Sequence, residues 1–220
     1  MIVNPLELLL KYRVLTFEEL SRLTGRARGV LEGMVNELRG DLIVEGDLIK
    51  VKNPVNLALR LVESGVSPTR VSGLISWRDF EELAGEVMSR HSYEVVGNML
   101  VTKPVRFQID VFGVDEASGR ALAVDCKHWS RTTRIGLEDA GRKHLERIGK
   151  LRKYKSVVAA KYPTLRKARE VVGVILTLTK PALRTASNSI VFVSISEFNL
   201  FLREIEVVLE ELAVKPINLQ

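Results

Sequence analysis

Apolar positions change their period along the chain, and the changes predict its elements. Residues 13–39, RVLTFEELSRLTGRARGVLEGMVNELR, read as two short helices joined at Thr24 and Gly25. Thr16 followed by Glu19 has the spacing of a capping box, in which each side chain satisfies a free backbone N–H of the other. Over about Ala27 to Leu38, the residues Val30, Leu31, Met34, Val35 and Leu38 recur at helical spacing and are expected to pack on Leu20 and Leu23. The stretch DLIVEGDLIKVKN then reads as two short strands around a tight turn at Glu45, Gly46 and Asp47. Leu57, Leu61 and Val62 mark one more helix, and SGVSPTRVSG has the Ser, Gly and Pro density of a linker.

Helix, turn, helix, hairpin is the order of a winged helix, so residues 1–73 are read as a small winged-helix (α+β) domain. A second domain over 74–220 opens with an amphipathic helix, Trp77 to Arg90, whose inner face carries Phe80, Leu83, Ala84, Val87 and Met88. Three strands are expected at about 93–101, 105–114 and 120–128, the last two joined by the polar turn DEASG. A long helix from Leu137 to Tyr154 follows, with Leu137, Gly141, Leu145, Ile148 and Leu151 inward and Arg142, Lys143, Arg147, Lys150 and Lys153 largely outward. Further strands are expected at 157–160, 174–179 and 190–194, with a helix near 165–171 and a last one over about 197–212. The second domain is therefore α/β, a mixed sheet flanked by helices.

The chain has 220 residues, 46% of them hydrophobic and 27% charged, which suits a packed globular protein and excludes a disordered one. A single cysteine, Cys126, permits no intrachain disulfide, and no apolar run approaches the roughly 18 residues of a spanning helix. A cytoplasmic protein with no membrane association is the expectation. The net charge of +6 is unevenly placed: residues 127–169 hold 14 Lys and Arg against three acids, while residues 1–73 hold ten against nine. An acidic partner for the second domain is implied.

Within that domain three charged side chains interrupt apolar strands. Alternation in VRFQIDVFGV sends Asp110 away from Val105, Phe107, Ile109 and Val111. In RALAVDCKHW the same period places Asp125 and Lys127 on one face, about 7 Å apart, beside the small Ala121 and Ala123, with Leu122, Val124 and Cys126 toward the core. Charges buried in strands cost several kcal/mol unless paired or metal-bound. The DEASG turn brings the two strands antiparallel, so Asp110 approaches Asp125, and two like charges there call for a cation between them. Mg²⁺, with Mn²⁺ able to substitute, takes carboxylate oxygens and leaves positions for water and phosphate. Lys127 would neutralise charge developing on a phosphoryl transition state.

These residues resemble the PD-(D/E)XK nuclease superfamily, whose order is a helix-borne Glu, an Asp on one strand and (D/E)-x-K on the next. Glu81, Asp110 and Asp125-Cys126-Lys127 occupy that order, with Glu82 and Glu86 as further carboxylates on the same helix. FEELAGEVM, Tyr93, QID and CKHW look most like Mrr-type restriction endonucleases and, more distantly, archaeal Holliday-junction resolvases, over roughly residues 77–130. Ile109 stands where a Pro often precedes the Asp, and Asp125 where many Mrr-like members carry Glu or Gln. The resemblance implies a restriction-endonuclease-like fold, Mg²⁺-dependent hydrolysis of DNA, and Glu81, Asp110, Asp125 and Lys127 as the catalytic set.

Candidate contacts to duplex, branched or modified DNA are Arg22, Arg26 and Arg28 around the second N-terminal helix, and His128, Arg131, Arg134, Arg142 and Lys143 beyond the motif. Cutting both strands needs two active sites, which a homodimer would supply. The competing reading is a non-catalytic DNA-binding regulator with a degenerate nuclease domain, in which Lys127 would be replaceable. A weaker one is a protein-interaction module.

Overall fold

A computed structural model of the chain describes residues 4–129 and 132–219. The chain divides into two compact units, one ending at Asp79 and the other beginning at Phe80, so the division falls within the first turn of a helix.

The first unit runs α1 (Pro5–Tyr12), β1 (Val14–Thr16), α2 (Phe17–Thr24), α3 (Arg28–Glu37), β2 (Leu42–Glu45), β3 (Leu48–Val51), α4 (Pro54–Glu63) and α5 (Pro68–Ser72). Asn4 caps α1 by accepting from the Leu6 N–H at 3.0 Å, and Pro5 sits at a first-turn position whose N–H would be unpaired anyway. The Thr16–Glu19 capping box forms as the spacing predicts, and Gly25, with φ +68°, supplies the left-handed residue that ends α2. The strands form a sheet in the order β1-β3-β2, with Leu9, Leu10, Leu20, Leu31, Ile49, Leu57 and Leu61 fully buried.

Three sequence expectations change here. Val30 is 58% exposed and Leu23 47% exposed, so the buried stripe of α3 reduces to Leu31, Val35 and Leu38 with Met34 half-buried. Helix α1 and strand β1 were not expected; each is too short for its periodicity to register. The stretch 64–73 is no loose linker, because it holds α5 with Val71 and Ser72 fully buried.

The second unit continues with α6 (Trp77–Arg90, begun before the division), β4 (Tyr93–Val101), β5 (Phe107–Asp115), β6 (Arg120–Lys127), α7 (Arg134–Lys153), α8 (Lys155–Lys161), a 3₁₀ turn (Pro163–Arg166), β7 (Glu170–Thr177), β8 (Thr185–Ala186), β9 (Ile190–Ser194), α9 (Ile195–Arg203), α10 (Ile205–Glu211) and β10 (Ile217–Asn218). The sheet is mixed and has seven strands, ordered β4-β5-β6-β7-β9-β8, with β10 beside the start of β7. β4, β5 and β6 form an antiparallel meander; β6, β7 and β9 are parallel, so α7 is the crossover between β6 and β7. Strands β6, β7 and β9 are buried nearly throughout, which is why they read as continuous apolar runs. Ala121 and Ala123, expected to leave room beside the acids, instead pack in a core with Phe112, Leu137, Ile148 and Phe192.

The stretch 157–160 is helical, within α8, where a strand was expected. A four-residue apolar run has no period to distinguish the two states, and in α8 it buries Val158 and Ala159 while Val157 and Ala160 face outward. The helix expected near 165–171 is a single 3₁₀ turn ahead of β7. The last helix is broken at Glu204 into α9 and α10, and the two-residue strands β8 and β10 had no sequence signal. Among the described residues no helix is long and apolar enough to cross a membrane.

Gly173 of β7 lies directly under α7, facing Ile148 and His144. A Cβ there would lie 2.3 Å from Ile190 Cδ1 and 2.7 Å from Ile148 Cδ1, both on buried residues. Gly173→Val is expected to destabilise the protein by about 1–3 kcal/mol through overpacking, measured as a lower urea midpoint with unchanged slope.

Candidate active site

The antiparallel ladder of β5 and β6 pairs Val114 with Ala121, Gly113 with Leu122, Phe112 with Ala123 and Val111 with Val124, then stops. The next positions in that register are Asp110 and Asp125. The Asp110 carboxylate takes over from the ladder: its Oδ2 accepts the backbone N–H of Cys126 at 2.8 Å. Asp110 is 6% exposed and Asp125 2%. Two acids thus lie together under cover at the point where the strands part.

Two cations hold Asp125. The Lys127 ammonium, two residues on along β6, is 2.5 Å from Oδ2, and the Arg147 guanidinium from α7 pairs with Oδ1. One turn before Arg147, the fully buried His144 donates its Nε2–H to the Ala123 carbonyl at 2.8 Å, while its Nδ1 is buried with no hydrogen-bond partner among the described residues. Helix α7 therefore grips β6 at Ala123 and Asp125 together.

The electrostatics separate the two acids. Burial raises the Asp110 pKa and the Asp125 charge raises it further, against the opposing pull of the Cys126 N–H, Lys127 and Arg147. Burial acts the same way on Asp125, but His144, Lys127 and Arg147 outweigh it and leave its pKa below the ordinary value. Burial lowers the pKa of His144 itself, against the opposing pull of the Asp125 charge and the Ala123 carbonyl. Asp125 is the ionised member, and Asp110 is the one a neighbouring cation would most relieve.

The remaining residues of the motif surround this pair. Cys126 is fully buried, and burial together with the charges of Asp110 and Glu81 pushes its thiol pKa well up, so it is an unreactive core residue. The same influence places Glu81, half-buried on α6, within electrostatic range of the strand that bears Lys127. Lys127 Nζ also lies 5.8 Å from the centroid of the Trp129 ring. His128 packs edge-on against Phe80 with ring centroids 5.4 Å apart, a contact within the protein. Arg131 lies outside the described residues.

Most of the surface cations expected to meet DNA already have acidic partners. Arg22 pairs with Glu18 at 2.8 Å, Arg28 with Glu32 and Asp47 at 2.7 Å each, and Arg134 with Glu138 at 2.9 Å. Arg142 pairs with Asp139 and Glu146, and Lys143 with Asp139. Arg26 is exposed. Such exposed pairs are screened by solvent and weak, so a phosphate can replace the carboxylate.

Among the described residues, no three His, Cys, Asp or Glu side chains are grouped to enclose a metal. The chemistry of the donors nonetheless fits a hard divalent ion that keeps part of its water shell, since two buried carboxylates lie close enough for one to raise the other's pKa. Sequence reasoning missed Arg147, placed outward, and His144, left unplaced. The second was legible: 137, 141, 144, 148 and 151 alternate steps of four and three, so position 144 belongs to the buried stripe. Arg147 carried no such signal, because a long side chain beside a stripe can face either way.

Arg147→Ala is expected to cost about 1–2 kcal/mol, less than the 3–5 kcal/mol of a fully buried broken pair because Lys127 remains on Asp125, and chemical denaturation measures it. Asp110 has a raised native pKa, so its stabilising contribution is present at low pH and lost as pH rises through that value. Asp110→Asn keeps the acceptor for Cys126 and removes the charge, so it should raise the melting temperature at pH 7 and lose that advantage below pH 4. Asp125 has the opposite sign: its contribution is present above the ordinary carboxylate range and falls away as pH drops.

A family model described as restriction endonuclease, Mrr_cat, matches residues 74–198, more than half of the chain. No curated protein matches the chain significantly. Among solved structures, protein VC1899 from Vibrio cholerae is 11% identical with a TM-score of 0.39, over 96% of this chain and 52% of that one. Restriction endonuclease FokI is 14% identical with a TM-score of 0.39, over 92% of this chain and 43% of that one. FokI bound to DNA is 12% identical with a TM-score of 0.35, over 95% and 45%. The chain thus spans about half the length of these structures. Its second unit is a restriction-endonuclease-like α/β domain with the carboxylates and lysine of the PD-(D/E)XK order, and the chain belongs to the Mrr_cat restriction endonuclease family.

Proposed function

We propose that the protein is a metal-dependent DNA endonuclease whose catalytic residues are Asp110, Asp125 and Lys127, with Glu81 as a further carboxylate beside them. The observation that carries this reading is the buried meeting of Asp110 and Asp125 where β5 and β6 part, with the Lys127 ammonium 2.5 Å from Asp125. Two buried acids at facing positions weaken a sheet, and a binding task gives a physical reason for keeping them.

Asp110 and Asp125 would hold Mg²⁺, or Mn²⁺ in its place, and the bound ion would polarise the scissile phosphate and acidify water. Lys127 orients the attacking water and offsets negative charge that gathers on the phosphate oxygens as the new P–O bond forms and the sugar oxygen leaves. Arg147 and His144 act through β6: one neutralises Asp125 and the other fixes the backbone at Ala123, so the carboxylate is presented in one orientation.

Residues 1–73 serve in this reading as a winged helix that aids DNA binding, with Arg22, Arg26 and Arg28 as its contacts. Its support is the order α1-β1-α2-α3-β2-β3 with a three-stranded sheet. DNA is the partner, and a homodimer would allow both strands to be cut.

Supercoiled plasmid incubated with Mg²⁺ or Mn²⁺ is expected to be nicked or linearised by the wild type, and EDTA should abolish this. Asp125→Ala and Lys127→Ala should each lower the rate by about 10²-fold or more while plasmid retention in a mobility-shift assay persists. Equal cutting by all three proteins would sink the assignment.

A further inference from the structure

The cations of α7 fall into two groups. Toward its N-terminus Arg134, Arg142 and Lys143 are tied to Glu138, Asp139 or Glu146, and Arg147 turns in to Asp125. Past Ile148, among the described residues, its cations are in no ion pair. Arg152 and Lys153 at the end of α7, Lys155 at the start of α8 and Arg166 in the 3₁₀ turn line one open groove of about 810 Å³, with Leu219 also in its lining. Among the described residues no carboxylate lines it, and none of these four cations is in an ion pair.

Local contacts hold two of them in place. Lys155 Nζ donates to the Ala168 carbonyl at 2.6 Å, and Lys153 Nζ lies 5.4 Å from the centroid of the Tyr154 ring. Four like charges around one groove repel each other, and an anion with several charges relieves them. Besides the four cations the groove is lined by Gly149, Ser156, Ala159 and Leu219, so every charged group that faces it is positive. No aromatic side chain lines it to stack a base. Four cations with no stacking platform suit an anion that carries several charges along its length.

We propose that this groove binds the phosphodiester backbone of DNA, a contact that rests on the nuclease reading and extends it to a second place on the same domain. Lys153 is six residues along α7 from Arg147, about 9 Å of axial rise, or less than three base-pair steps of a duplex at roughly 3.4 Å each.

The test is fluorescence anisotropy of labelled duplexes with the full chain in EDTA, so that no cutting is involved, over a series of salt concentrations. Arg152→Ala/Arg166→Ala removes two exposed groove cations, and Arg203→Ala/Lys215→Ala removes the same charge from other surface positions. The groove pair should weaken binding to unrelated duplex sequences alike and reduce the log–log salt slope by about 2, while the control pair leaves the slope unchanged. An unchanged slope in the groove pair, or no duplex binding by the wild type, overturns the proposal. So does saturable binding of inorganic phosphate that the groove pair abolishes while its duplex slope is unchanged, which would make the ligand a small phosphate compound. A reduced slope with no plasmid cutting by any version upholds the groove and sinks the nuclease reading; cutting by the wild type with an unchanged slope does the reverse.

Discussion

The second unit turns on the bond between the Asp110 carboxylate and the Cys126 N–H. It stands where the β5–β6 ladder would have placed a backbone carbonyl, so the strands can separate without leaving a buried donor unpaired. That separation is what gives Asp110 and Asp125 a shared space instead of a cross-strand clash. The cost is two carboxylates in a low-dielectric interior, and the structure offsets only one of them: Lys127 and Arg147 neutralise Asp125, while Asp110 is left with a raised pKa. A carboxylate with a pKa raised by burial beside another charged group is a common feature of functional sites.

Helix α7 connects this site to the core. As the crossover between parallel strands it must lie on the sheet, and Gly173 lets it lie close. Its buried stripe supplies Leu137, Ile148 and Leu151 to the core; His144 and Arg147, on the same side, reach β6 at Ala123 and Asp125. One helix therefore sets core packing, backbone position and charge balance together, so changes in its packing are felt at the carboxylates. Beyond Ile148, among the described residues, its cations are in no ion pair, and two of them, Arg152 and Lys153, line the groove with Lys155 and Arg166.

Much of this was legible in the chain. The Thr16–Glu19 box, the hairpin turn at Gly46, helix α6 and the three meander strands all follow from local rules of capping and period, and they form as read. Asp110, Asp125 and Lys127 stood out because charge inside an apolar strand is costly anywhere, whatever the fold. The positions that failed were those where a local pattern is degenerate: Val157 to Ala160 could be strand or helix, and residues 64–73 had a linker's composition but bury Val71 and Ser72.

What the sequence alone determined was the list of elements and the identity of the charged residues that break their patterns, because both depend on neighbours within a few positions. What only the tertiary structure decided was pairing: that the ladder stops at Val111 and Val124, that Arg147 turns inward to Asp125, and which basic residues keep acidic partners. These contacts join residues far apart in the chain or choose among the rotamers of long side chains, and local periodicity carries no information about either.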